Sequence, residues 1–145
     1  MAITSAICTS FKQELLVGTH NFTATTGNTF KIALYTSSAT LGAGTTAFSS
    51  SNEITNTSGT AYTSGGATLT SVTPTTDSTT AVCDFADVSF TSASFTANGA
   101  LIYNDDQSDK AVAVIAFGGD KTVSSGTFTI QFPTADATNA IIRLA

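Results

Sequence analysis

The sequence predicts an all-β chain: one β-sandwich of about eight strands with a single short N-terminal helix. Three observations carry this. Short stretches alternate apolar and polar residues at the two-residue period of a strand. Turn signals interrupt them about every 8–12 residues. Thr and Ser make up roughly a third of the chain, and β-branched Thr suits the solvent face of a sheet. The 145 residues, 41% of them hydrophobic, are enough for one core and imply one domain spanning residues 1–145. Eight strands are enough for a jelly roll, but strand order is not written in the periodicity.

The elements follow in order. Ile7, Phe11 and Leu15 recur at four-residue steps, which predicts a helix over about residues 4–17 with Lys12 and Gln13 outward. Thr4 or Ser10 can cap its start, Ser10–Gln13 forms a candidate capping box, and Gly18 stands where a C-terminal cap belongs. Thr29–Thr36 reads as a strand with Phe30, Ile32 and Leu34 on one face and Lys31, Ala33 and Tyr35 on the other. Ser37–Gly66 reads as long loops around one short strand near Glu53–Thr55. Ala67–Thr73 is a strand that Pro74 and the following Thr, Asp and Ser should end in a turn.

Ala81–Phe90 and Ser94–Tyr103 are the next strands, with Gly99 at a bulge or bend. Asn104–Lys110 is a polar hairpin loop. Ala111–Phe117 is apolar on both faces and should be a central strand covered on both sides. Gly118, Gly119 and Asp120 should turn the chain. Thr127–Phe132 alternates again, Pro133–Asp136 breaks it, and Ala140–Leu144 is the last strand. The expected core is Phe30, Ile32, Leu34, Val88, Phe90, Val114, Ile115, Phe128, Ile130 and Phe132.

Composition narrows the function. Charged residues are only 10% of the chain, against an ordinary share of about 25%. A surface of hydroxyls and small side chains loses little rotamer freedom when covered, which suits a protein packed against neighbours; a β-domain acting alone outside the cell is the plainer alternative. A net charge of -5 with five basic residues opposes binding to a phosphate backbone, so no nucleic-acid partner is expected. No apolar run approaches the ~18 residues of a membrane span, so no membrane partner is expected either. The first twenty residues lack the basic n-region of a signal peptide, so synthesis in a cytoplasm is expected. Cys8 and Cys83 are then expected as free buried thiols, with a disulfide formed after release from the cell as the alternative. The sequons at Asn21 and Asn56 carry no weight without a secretory route.

No catalytic, cofactor-binding or metal site emerges. His20 is the sole histidine, and it stands after the helix end, where capping or surface exposure explains it better than a role as base in a triad. No nucleophile elbow accompanies it. Asp105, Asp106 and Asp109, with Asn104, Gln107 and Ser108, could offer hard oxygens to calcium; their spacing matches no EF-hand, and a solvated hairpin tip explains them. Tyr35, Tyr62 and Tyr103 are scattered in sequence and Trp is absent, which argues against a lectin or glycosidase cleft. Gly42-Ala-Gly44 and Gly65-Gly66 lack the Lys of a phosphate loop and read as turns.

Three segments carry a resemblance: SFKQELLVGTHNF at 10–22, TFKIALYTSSATLG at 29–42, and FTANGALIYN at 95–104 with its continuation from Ala111 to Ala145. With them the chain resembles small virion structural proteins of tailed bacteriophages, of the capsid decoration (cement) type. The resemblance implies no enzyme and no cofactor. It implies a non-enzymatic component of the particle. The hydroxyl-rich, low-charge surface and the net charge of -5 add the expectation of a place on the outer surface of the head, with the major capsid protein and copies of itself, as a dimer or trimer, for partners. A tail or fibre-associated adhesion module binding a host-surface carbohydrate is the alternative; a metal-stabilised secreted β-domain is a third. The N-terminal helix and the Ser37–Gly66 loops are the expected contact surfaces, as parts a sandwich core does not need.

Overall fold

The computed structural model describes residues 2–55 and 61–145. The second sequon, at Asn56, lies outside the described residues. Eight strands and one helix follow in the order β1 (Ala6–Ile7), α1 (Thr9–Leu16), β2 (Phe30–Tyr35), β3 (Ala67–Thr68), β4 (Ser71–Asp77), β5 (Thr80–Phe85), β6 (Val88–Asn104), β7 (Lys110–Ile130) and β8 (Ile142–Leu144). They form an all-β sandwich of two antiparallel sheets, ordered β1-β7-β6-β2-β3 and β4-β5-β8. This five-and-three division differs from a jelly roll, which splits eight strands evenly. Phe22 stacks on Phe30 of the larger sheet at 4.2 Å, and Phe30 meets Phe85 of the smaller sheet at 5.9 Å. These rings join the two layers.

The helix begins later than its apolar spacing suggests. Ala6 and Ile7 pair with Val114 and Ala113 of β7, and the Cys8 N–H donates to the Val112 carbonyl. A strand that completes a sheet outcompetes an extra helical turn with no tertiary partner. Cys8 is therefore the N-cap, without a side-chain cap bond. The expected capping box does not form, and the Ser10 hydroxyl is buried without a partner. The other end is as expected: Gly18 takes φ 74°, its N–H reaches Leu15 O, and the Thr19 N–H reaches Glu14 O, a Schellman closure.

Several expected boundaries move. β2 is buried on both faces rather than one, apart from half-exposed Lys31. The Ala67–Thr73 strand is two, β3 in the larger sheet and β4 in the smaller. Pro74 does not end β4, because β4 is an edge strand and a register shift between Val72 and Thr75 absorbs the missing N–H. The turn comes at Ser78, with φ 56°. The expected Ala81–Phe90 strand breaks between Phe85 and Val88, where the chain crosses from one sheet to the other. Gly118 and Gly119 do not turn the chain. Their positive φ values, 76° and 142°, make a large bulge inside β7, where Lys121 and Ala116 pair with Ala97 and Gly99. Hence Ala111–Phe117 and Thr127–Phe132 are not separate strands; β7 takes in the first and runs on to Ile130. The register shift expected at Gly99 is present. As expected, Ala111–Val114 are buried on both faces, and β7 is an inner strand there, between β1 and β6; β6 is the middle strand of the larger sheet.

Burial follows the bulge. Phe30, Ile32, Leu34, Phe90 and Val114 are buried as expected. Val88, Ile115, Phe128, Ile130 and Phe132 are only half-buried, packed against the margin of the core. Most of them lie on the part of the β6–β7 hairpin that runs beyond β2, with one sheet face and no full second layer. Ser37–Gly66, expected to lie outside the core, helps to close it: Ala39, Ile54 and Tyr62 are buried. Near Glu53 there is a single antiparallel bridge to Tyr35 rather than a strand.

Phe30→Ala should cost about 3–5 kcal/mol, the usual range for deleting a fully buried ring. Phe128→Ala should cost clearly less. Chemical denaturation of the two variants measures the difference, and equal losses would contradict this account of the core.

Candidate functional site

Two polar clusters are buried in the sandwich, and one long face is exposed. The first cluster joins α1, the loop after it and the β6–β7 turn. Asn104 is fully buried at the end of β6. Its Oδ1 accepts from the Asp106 N–H, which fixes its Nδ2 as the donor to Asn28 Oδ1 at 3.1 Å and to His20 Nδ1 at 2.9 Å. His20 Nδ1 is therefore an acceptor, and the ring proton sits on Nε2. That nitrogen faces Glu14 Oε2 at 3.7 Å, and Lys110 Nζ stands 3.1 Å from the same oxygen. Phe11, Phe22 and Phe30 surround the imidazole, with ring centroids between 4.8 and 6.4 Å away.

His20 is thus buried rather than capping the helix or lying on the surface. Burial pushes its pKa below the ordinary 6.5; the negative Glu14 opposes this and the positive Lys110 reinforces it. A second proton, on Nδ1, would face the Asn104 amide hydrogens. The hydrogen bonds that hold the three segments together run through Asn104, while His20 Nε2 and the Glu14 carboxylate are buried without a hydrogen-bond partner and face each other and Lys110 at ion-pair distance.

The second cluster fastens the Ser37–Gly66 segment. Glu53 is buried, and its carboxylate accepts from the Tyr62 hydroxyl at 2.5 Å, the Gly65 N–H at 2.6 Å and the Ser64 hydroxyl at 3.0 Å. Three donors offset the desolvation of the charge. The Tyr62 hydroxyl also accepts from the Leu34 N–H of β2 at 2.9 Å. Tyr103 donates to Gly65 O and Tyr35 to Ser49 O. Burial raises the pKa of all three tyrosines, so they remain neutral hydrogen-bond partners. The tyrosines that are scattered in sequence are therefore gathered in the core. Gly66, at φ 84°, lies against β2 so closely that a Cβ would collide with the Ile32 carbonyl.

The other expected candidates serve structure. The Asp105–Asp109 turn closes the β6–β7 hairpin: Asp105 pairs with Lys31 at 3.3 Å and Asp106 accepts from the Thr29 N–H at 2.6 Å. Among the described residues no group of three or more His, Cys, Asp or Glu side chains could hold a metal ion. Cys8 and Cys83 are unpaired as expected, but only Cys8 is fully buried; Cys83 is half-buried. Burial pushes each thiol up to about 11, Glu14 adding to the effect at Cys8, which leaves both as poor nucleophiles.

The exposed face is the β6–β7 ribbon beyond the bulge. One side carries Phe90, Phe95 and Phe128; Phe95 meets the other two rings, and Tyr62 packs on Phe90 and Phe95. The other side carries hydroxyls bonded across the strands: Ser89 with Thr129 at 2.9 Å, Thr96 with Thr122 at 2.8 Å, and the Ser125 N–H to Ser94 Oγ at 2.9 Å. A smaller apolar patch lies where α1 meets β8, with Leu16, Val17 and Leu144 exposed. Sequence reasoning missed both buried clusters. Glu53 had a signal, as the lone charged residue between Ser37 and Gly66; Asn104 reads as a turn residue, and nothing in its neighbourhood separates it from one. No protein-family model, curated protein or solved structure matches the chain.

Two measurements probe the clusters. Because the folded pKa of His20 is depressed, its stabilising contribution is complete above 6.5 and is lost as pH falls below that value. Thermal melting should therefore weaken on mild acidification, and His20→Gln should flatten that part of the profile. Tyr62→Phe takes a donor from Glu53 and an acceptor from Leu34, and should cost about 1–3 kcal/mol in a denaturant titration.

Proposed function

We propose that the chain is a non-enzymatic structural protein of a tailed-bacteriophage particle, a capsid decoration protein. In this reading it is made in the host cytoplasm and docks on the outer surface of the head, where it stabilises the shell. The observation that carries the reading is the ribbon face of short, cross-bonded hydroxyls. Those side chains have given up rotamer freedom before any partner arrives, and Asp120, the carboxylate beside Thr122 on that face, is already bonded to the Asn98 amide at 2.9 Å. Covering it therefore costs little. A shallow contact of this kind is weak singly, and a repeated lattice sums many of them through shared neighbours.

Two further points support the reading. The segments 10–22, 29–42, 95–104 and 111–145 resemble virion structural proteins, and a net charge of -5 favours the outer wall over a surface facing packaged nucleic acid. Carbohydrate adhesion finds less support, because all three tyrosines are buried and the chain has no Trp.

Particles made without the protein should assemble heads that open at lower temperature or under milder osmotic shock, and adding the purified chain back should restore them. Antibody labelling at the tail tip, with adsorption lost and head stability unchanged, would overturn the head assignment in favour of adhesion.

A further inference from the structure

β7 is paired along its inner side and along only part of its outer side. Its inner side pairs with β6 from Lys110 to Ile130. On its outer side Lys110 bridges Ala47, Val114 and Ala113 pair with β1, and the Ala116 N–H donates to Ser5 Oγ. Beyond Ala116 no strand or bridge among the described residues occupies that side.

Open edges usually carry a guard. β4 has Pro74 and Asp77, and β8 has Arg143. β7 has none from Thr122 to Ile130, and no charged residue stands between Lys121 and Asp136. The segment Thr127–Phe132 is rich in β-forming residues. The Phe132 N–H turns inward to Asp87 Oδ1 at 2.8 Å. By the alternation of a strand, the N–H groups of Phe128 and Ile130 also turn inward, and those of Thr129 and Gln131 turn out. Beside this edge runs a groove whose apolar lining is Ile115, Phe117, Phe128 and Ile130, with Lys121, Thr129 and Gln131 at its polar margin.

We propose that two copies of the chain pair edge to edge through β7, antiparallel across a two-fold axis at Thr129. The proposal rests on the particle reading, in which copies of the chain are partners, and names the surface they use. The segment is self-complementary. Phe128 of one copy lies opposite Ile130 of the other and extends the apolar groove, while Thr129 meets Thr129 on the hydroxyl face. No charged residues stand opposite each other in this register, so no like-charge contact opposes the pairing. The register shift between Ala93 and Phe95, with Ser125 at φ 46°, confines the pairing to Thr127–Gln131. Each edge satisfies the other, so assembly through this surface closes at two copies rather than running on as a fibre.

Sedimentation velocity on the isolated chain should show a species of twice the 14.7 kDa chain mass. Thr129→Lys places two like charges on the axis and should weaken the dimer by about tenfold or more, with an unchanged circular dichroism spectrum. Thr129→Cys should be joined into a dimer by a short bifunctional thiol cross-linker, which spans the wider side-chain spacing of a hydrogen-bonded pair, whereas the parent chain, with Cys8 and Cys83 alone, should not be. If Thr129→Lys fails to fold, the cysteine variant decides. A chain that stays monomeric at its highest soluble concentration, a dimer indifferent to Thr129→Lys, or a Thr129→Cys variant that does not cross-link would each overturn the proposal. None of these results bears on whether the protein stabilises heads, which the particle experiment reads separately.

Discussion

The antiparallel pairing of β6 with β7 is the constraint on which the rest of the sheet depends. β1 is added to the outer side of β7, β2 to the outer side of β6, and β3 to β2. A one-residue slip in the central ladder would turn every side chain of both strands to the wrong face, so its register has to be fixed strongly. The Asp105–Asp109 turn fixes it at one end, through Lys31 and the Thr29 N–H. The bulge opposite Asn98 marks its change of character, and the Asn98 amide donates to Asp120 there at 2.9 Å. Before the bulge the ladder is core; after it, the ladder is a ribbon with one side toward solvent.

The buried polar clusters act on specificity more than on net stability. Glu53 and Asn104 each cost desolvation, and their hydrogen bonds roughly repay it. What they add is position. Glu53 sets the Ser37–Gly66 segment against β2, and Asn104 sets the 20–28 loop against the hairpin turn. A purely apolar core of the same volume would hold these segments less definitely, because Ser, Thr and Gly dominate them and supply few shapes to interlock.

Fold class, the hairpin turn at Asn104–Lys110, the helix C-cap at Gly18 and the inner face of β2 are all legible in the sequence, because each depends on local chemistry or on a clean two-residue period. The misread elements share a cause. Pro74 and Gly118-Gly119 signal a break in any local reading, yet an edge position and a bulge let the strand continue. Ile7 has helical spacing with Phe11, yet β7 claims it. Phe128 and Ile130 alternate as core residues do, yet no full second layer lies over them. Of the polar clusters, only the isolation of Glu53 was visible; Asn104 and His20 acquire their surroundings from contacts with residues far away in the chain.

The placement of β1 bears on how the chain folds. Ala6 lies beside Val114, and Cys83 lies beside Ile142. The β4–β5 and β6–β7 hairpins can form from neighbouring residues as they emerge from a ribosome, but β1 has nothing to pair with until residue 114 is out, and β8 completes the smaller sheet later still. Closing loops of that length is entropically expensive and slow. Until then the N-terminal segment waits without a partner and the helix has no sheet to lie on. Completion of both sheets is therefore a late event, in which β1 joins residues 113–114 and β8 joins β5, and a nascent or truncated chain would carry its apolar hairpins uncovered in the meantime.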